Sequence, residues 1–149
     1  KMSKFDYITS TGVLHETETP DLFLKNIGKL ADNNTTIYLN IPNAKSLHRL
    51  IAVEGGIIDN IFEKSRRNNL LKQNNNFSKD TLKKLILKNL PDFKICECET
   101  FFIKPFTHDQ MMSTFNKNIN KEKIFDGLYN VSKYLPELGC ELYCIISKN

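Results

Sequence analysis

The sequence is short of arginine, of long apolar runs and of the cysteine spacing that holds metals. Of 21 basic residues only Arg49, Arg66 and Arg67 are arginine, and the lysines are spread along the chain. A nucleic-acid protein concentrates its positive charge on one face, with arginine or interleaved aromatic residues to meet phosphates and bases. The net charge of +4 therefore reads as a lysine-rich solvated surface, and no nucleic acid is expected as a partner. No apolar stretch reaches the length of about 18 residues that a membrane helix needs, so no membrane partner is expected either. The opening Lys-Met-Ser-Lys-Phe-Asp has none of the apolar core of a secretory leader, which makes the cytoplasm the expected location. The four cysteines, Cys96, Cys98, Cys140 and Cys144, include no Cys-x-x-Cys knuckle. Two or four apart on a strand, each pair would line one face, and the two pairs could meet. Buried reduced thiols fit this better than a metal site.

What is present is ordinary for a folded domain. The chain has 149 residues, 40% hydrophobic and 26% charged, enough for one core but not for two domains, so residues 1–149 are expected to form one unit. Asparagine runs (Asn33-Asn34, Asn68-Asn69, Asn74 to Asn76) read as loops that reflect a biased composition.

Hydrophobic periodicity orders the elements. Phe5 to Thr11 reads as a strand, and Thr19-Pro20 opens a helix to about Ala31, with Leu22, Phe23, Ile27 and Leu30 at helical spacing. Thr35 to Ile41 is a second strand stopped by Pro42. Ser46 caps a helix over 47–53, broken by Gly55-Gly56, and Ile57 to Lys64 reads as a further helical piece. Ser65 to Asn76 is expected to be a mobile polar loop. Ser78 caps a helix carrying Leu82, Leu85, Ile86 and Leu90, followed by a long strand over 93–103. Helices over 107–115 and 121–135 and a strand over 140–147 complete the order. A β-α-β start with short connections implies a parallel sheet in an α/β fold. Four strands make half of a doubly wound, Rossmann-like sheet.

Several segments in this order resemble the class I S-adenosylmethionine-dependent methyltransferases. Phe5-Asp6-Tyr7-Ile8 followed by Gly12-Val13-Leu14-His15-Glu16 is similar to that family's fourth motif, an Asp opening strand four and Val-Leu-Glu-His after it. Tyr38-Leu39-Asn40-Ile41-Pro42-Asn43 resembles strand five with its Val-Pro-Asn ending, and Phe77 to Leu82 resembles a later helix start. Ser46 to Arg49 with Ala52 to Gly56 resembles a helix inserted in one subgroup. Ile103 to Phe106 and Leu135 to Gly139 resemble the substrate-side elements and a final antiparallel hairpin. The resemblance spans nearly the whole chain.

The family's Gly-x-Gly-x-Gly turn has no counterpart here. The six glycines include no Gly-x-Gly, and the family's Glu-His order appears reversed as His15-Glu16. The chain thus resembles the C-terminal half of the fold, from strand four onward, and its first residue, Lys, fits an opening in mid-sheet. The resemblance implies S-adenosylmethionine as cofactor of a complete enzyme, with Gly12, Val13 and Leu14 beside it. It implies a small-molecule substrate, sugar or cell-envelope metabolites being the class suggested by the subgroup. The alternative is a non-catalytic remnant serving as an interaction domain. An unpaired strand-four edge would favour a homo-oligomer.

Catalytic candidates are the titratable residues where strands end, because ligands of open α/β sheets bind there. His15 and Glu16 follow the first strand, and His15 titrates near neutrality; the pair is a base with its neighbour or a solvated loop pair. After the second strand, His48 is a second base, and Arg49 clamps a phosphate or carboxylate or salt-bridges locally. Asn43 hydrogen-bonds a ligand or shapes the turn after Pro42. Lys104 is an anion contact or an exposed strand-end lysine. Phe101, Phe102 and Phe106 are an apolar pocket wall or core, and Met111, Met112 and Phe115 a packing face.

Overall fold

A computed structural model describes residues 5–64, 66–70, 73–115 and 120–149, the side chains of 66 and 67 excepted. Its strands are β1 (Tyr7–Thr11), β2 (Thr36–Pro42), β3 (Phe93–Phe101) and β4 (Glu141–Lys148). The helices are α1 (Pro20–Leu30), α2 (Leu47–Glu54), α3 (Arg66–Leu70), α4 (Lys79–Asn89), α5 (His108–Phe115) and α6 (Lys121–Asn130), with a 3-10 turn at Val131–Tyr134. The strands form one sheet in the order β1-β2-β4-β3. β1 and β2 are parallel, with Thr11 opposite Asn40, while β4 runs antiparallel to both its neighbours. The expected antiparallel pair is β3 with β4, joined through α5 and α6.

Alternation decides which face is covered. Ile37, Leu39 and Ile41 of β2 face the same way as Leu142, Cys144 and Ile146 of β4, and all are buried. Leu24 and Ile27 of α1 and Leu82 and Ile86 of α4 close this core. Each of these leucine and isoleucine side chains stabilises the fold by about 1.5–3 kcal/mol on burial. α4 begins at a capping box in which Ser78 and Thr81 exchange side-chain and backbone hydrogen bonds, as the Ser78 cap implies. Thr19 and Ser46 precede α1 and α2 without side-chain capping bonds, so Pro20 and tertiary packing start those helices.

Three expectations need correction. Ile57 to Lys64 forms turns and bends, not a helix. The Asp59 N–H bonds the Glu63 carboxylate and the Phe62 N–H donates to Asn60 Oδ1 at 2.9 Å, local bonds that displace helical ones. Within 65–76, residues 65, 71 and 72 lie outside the described residues, but the remainder holds α3 and a chain of amide clamps. The amides of Asn74 and Asn75 donate to the His15 carbonyl at 3.0 Å each, and their side chains donate to Glu16 O (2.7 Å) and Thr17 O (2.8 Å). Those asparagines strap the loop after β1 in place. Finally, the register of β3 slips between Ile95 and Glu97, so Cys96 and Cys98 do not share a face. Cys96 is exposed, whereas Cys98 sits directly opposite Cys144 in the core.

Because β1, β2 and β3 all run the same way and β4 the opposite way, their carboxyl ends and the start of β4 share one edge. The loops at 12–19, 43–46, 102–107 and 135–140 converge there.

Candidate functional site

At the end of β1 the chain turns through Gly12, whose φ of +70° is the left-handed region open to glycine. Its N–H donates to Asn40 O at 2.9 Å. Val13 is exposed and Leu14 fully buried. His15 is 4% exposed, and neither ring nitrogen has a hydrogen-bond partner among the described residues. Burial lowers its pKa against the smaller opposing pull of Glu16, whose carboxylate lies 3.9 Å from Nε2. The ring is neutral at neutral pH. Glu16 lines a polar depression of about 440 Å³ with Glu18, Lys64 and Asn74, and His15 does not.

Beyond β2, Asn43 is buried and its amide is spent on backbone. Nδ2 donates to Glu137 O (3.0 Å) and Gly139 O (2.8 Å), while Oδ1 accepts from the Lys45 N–H (3.0 Å). The bonds tie the end of β2 to the loop before β4. Arg49 donates from Nε to Ile61 O at 3.0 Å and from Nη2 to Glu63 O at 2.5 Å, which pins the turns after α2. His48 is mostly buried, and its Nδ1 has no partner among the described residues. Burial, then the charges of Lys104 and Arg49, pushes its pKa down to about 4.

Lys104 stands at the same edge, beside an apolar cavity of about 340 Å³. Phe101, Phe102, Met111, Met112 and Phe125 supply its apolar walls, and Lys104, His108, Cys140 and Glu141 the polar part of its lining. The Phe102 ring stacks on Phe125 with centroids 6.3 Å apart, and Phe125 meets Phe115 edge-on at 5.3 Å. Phe102 has a φ of +58°, uncommon for a bulky residue. Its carbonyl accepts the Cys140 N–H at 2.8 Å, which holds that turn. Burial raises the Glu141 carboxyl above the usual range, against the opposing pull of Asn40 and Lys104. Burial also pushes the Cys140 thiol up to about 11, so it is uncharged at neutral pH.

No family model matches the sequence, and no curated protein does either. Solved structures do match. The plantazolicin methyltransferase BamL, in complex with a triazolic desmethylPZN analog and SAH, superposes with a TM-score of 0.52 over 100% of this chain and 55% of its own, at 17% identity. The plantazolicin methyltransferase BpumL, in complex with SAH, gives a TM-score of 0.50 over 99% of this chain and 52% of its own, at 16% identity. The fold is that of a class I methyltransferase. The chain spans about half the length of these solved structures.

The end of β1, where the chain enters the loop at 12–19, has open backbone. Among the described residues Gly12 has no atom within 4 Å of where a Cβ would sit, and Val13 beside it is exposed, which leaves backbone open at the end of β1. β1 ends in Thr11 and β2 in Pro42, so neither ends in a carboxylate for ribose hydroxyls, and no Gly-x-Gly turn is present. These residues do not by themselves hold S-adenosylmethionine.

The structure brings His48, Lys104 and Glu141 into one electrostatic neighbourhood and sets His15 and Glu16 at another part of the same edge. Phe106 is 55% exposed and lines no part of the apolar cavity, whereas Met111 is buried and lines it. Glu141 and Phe125 belong to no motif in the sequence. The signal for Glu141 was period two: an acid heading an otherwise apolar strand shares the face of Tyr143 and lies opposite Pro42.

The bonding of Asn43 makes a prediction. Asn43→Ala strands two carbonyls and one N–H in a closed loop, and unfolding in urea should show a loss of about 2 kcal/mol with no ligand added. Wild-type stability in that variant would show that those bonds contribute nothing.

Proposed function

We propose that this chain is the substrate-side part of a S-adenosylmethionine-dependent methyltransferase that acts on a small molecule. One observation carries the reading: an apolar cavity that also bears Lys104, His108 and Glu141, at the edge where three parallel strands finish. Open α/β sheets bind ligands at that edge. In this reading Lys104 positions the acceptor and Glu141 receives or orients its proton. Glu16 and the backbone of Gly12, Val13 and Leu14 face the cofactor, His15 braces that turn, and Asn43, His48 and Arg49 hold the substrate side in shape.

Calorimetry of the full-length protein with S-adenosylmethionine tests it. Saturable binding is expected, with Lys104→Ala lowering turnover at least tenfold while leaving cofactor affinity unchanged. No binding heat would overturn the reading in favour of a second one, a non-catalytic interaction module. That second reading has its own support in β1. Among the described residues β1 has a neighbour on one side only, with Phe5 and Tyr7 exposed beside it, so its other edge can take a strand from elsewhere in the protein or from a second copy.

A further inference from the structure

The apolar cavity at the ends of β3 and β4 has a composition that selects among small molecules. It measures about 340 Å³, more than twice the roughly 150 Å³ in which a buried apolar cavity takes up benzene. Three phenylalanines and two methionines wall it, and such surfaces stack on flat rings and adapt to their edges. A sugar presents hydroxyls around its whole rim, and each one buried against Phe101, Phe102 or Phe125 without a partner would cost free energy.

The polar end is equally selective. Lys104, His108 and Glu141 line the cavity, and Lys104 and Glu141 lie near enough for the lysine to act on the carboxyl yet form no ion pair with each other among the described residues. A group that bridges them must accept from the ammonium and donate to the carboxylate. A carboxylate ligand would face Glu141 and an ammonium ligand would face Lys104, each at a like charge. A neutral hydroxyl satisfies both. The turn at Phe102 supplies an independent observation. Its left-handed backbone carries a cost of about 1–3 kcal/mol and holds the ring in the cavity wall, and strain of this kind gathers at ligand clamps.

We propose that this cavity binds a one- or two-ring aromatic molecule bearing a single hydroxyl, the ring between Phe102 and the methionines of α5 and the hydroxyl between Lys104 and Glu141. This rests on the methyltransferase reading only for what becomes of the bound hydroxyl. Binding itself does not depend on it.

The test is a titration of the full-length protein carrying ¹³C-labelled methionine methyls, with Met111 and Met112 assigned through their leucine variants. The probes are 2-naphthol, 2-naphthoate and methyl glucoside. Ring currents from 2-naphthol should shift both methyl signals saturably, 2-naphthoate should bind at least tenfold more weakly, and methyl glucoside should leave both signals in place. Lys104→Met should weaken 2-naphthol at least fivefold while leaving naphthalene unchanged, a control that also reports an intact cavity. Saturable shifts with methyl glucoside, equal affinity for naphthoate, or no shift with 2-naphthol would each overturn the proposal. Cofactor binding measured in the same sample reads the methyltransferase hypothesis separately.

Discussion

Replacing Gly139 by alanine should lower the thermal midpoint by about 12 °C. A Cβ at this position would stand 2.5 Å from both the nitrogen and the oxygen of Phe101 and 2.7 Å from Thr100 Oγ1. Two of those atoms are strand backbone, which cannot rotate away as a side-chain tip can. The glycine is also held on both sides. Its N–H donates to Thr100 Oγ1 at 3.0 Å, its carbonyl accepts from Asn43 at 2.8 Å, and Thr100 itself donates to Pro136 O at 2.7 Å. Relief of the clash therefore breaks bonds on β3 or on the end of β2. Overpacking of this kind costs about 3 kcal/mol, and for a domain of this size each kcal/mol moves the midpoint by about 4 °C. Gly127→Ala is the matched control. It lies within α6 with open space around it among the described residues, so alanine should be neutral or mildly stabilising there. Because Phe101 lines the apolar cavity, Gly139→Ala should also weaken any ring ligand. Equal midpoints for the two variants would show that the 136–139 loop yields, and that its contact with β3 is not tight.

That contact was invisible to pattern reading, and the reason is physical. Helix and strand periodicity reports which face of an element is apolar, and this placed α1, α4 and all four strands to within a few residues. Local chemistry was readable in the same way: Ser78 followed by Thr81, or Pro20 at the first turn, satisfies backbone groups within one turn. The straps are different. Asn74 and Asn75 act on carbonyls 58 residues away, and Asn43 on carbonyls 94 and 96 residues away. Nothing local distinguishes such an asparagine from one that merely solubilises a loop. The bulge at Cys96 is comparable, since one extra residue inverts the face of a thiol without changing the alternation on either side. The cavity was half legible. Phe101 and Phe102 were a possible wall and Lys104 a possible contact, but their relation to Met111, Phe125 and Glu141 depends on how α5 and α6 fold back over the end of β3.

Lowering the pH from 7 to 4 should cost the fold about 3 kcal/mol through His48. Its pKa stands near 4 in the folded protein against 6.5 when unfolded, because a mostly buried ring beside Lys104 and Arg49 resists a positive charge. The unfolded chain binds the proton more readily across this interval, so stability is whole above about pH 6.5, falls as pH drops toward 4, and changes little below that on this account. His15, lowered by burial, adds in the same direction. Glu141 acts oppositely: its raised pKa favours the fold while the carboxyl is protonated and so softens the acid loss. Urea unfolding at pH 7, 5.5 and 4 should show the decline in the wild type and a shallower one in His48→Gln. The comparison bears on chemistry as well as stability. A ring that stays neutral to pH 4 is a poor base for drawing a proton from a hydroxyl at neutral pH. Parallel curves for wild type and variant would mean that His48 takes up its proton freely near neutrality, and would restore it as the base at this edge of the sheet.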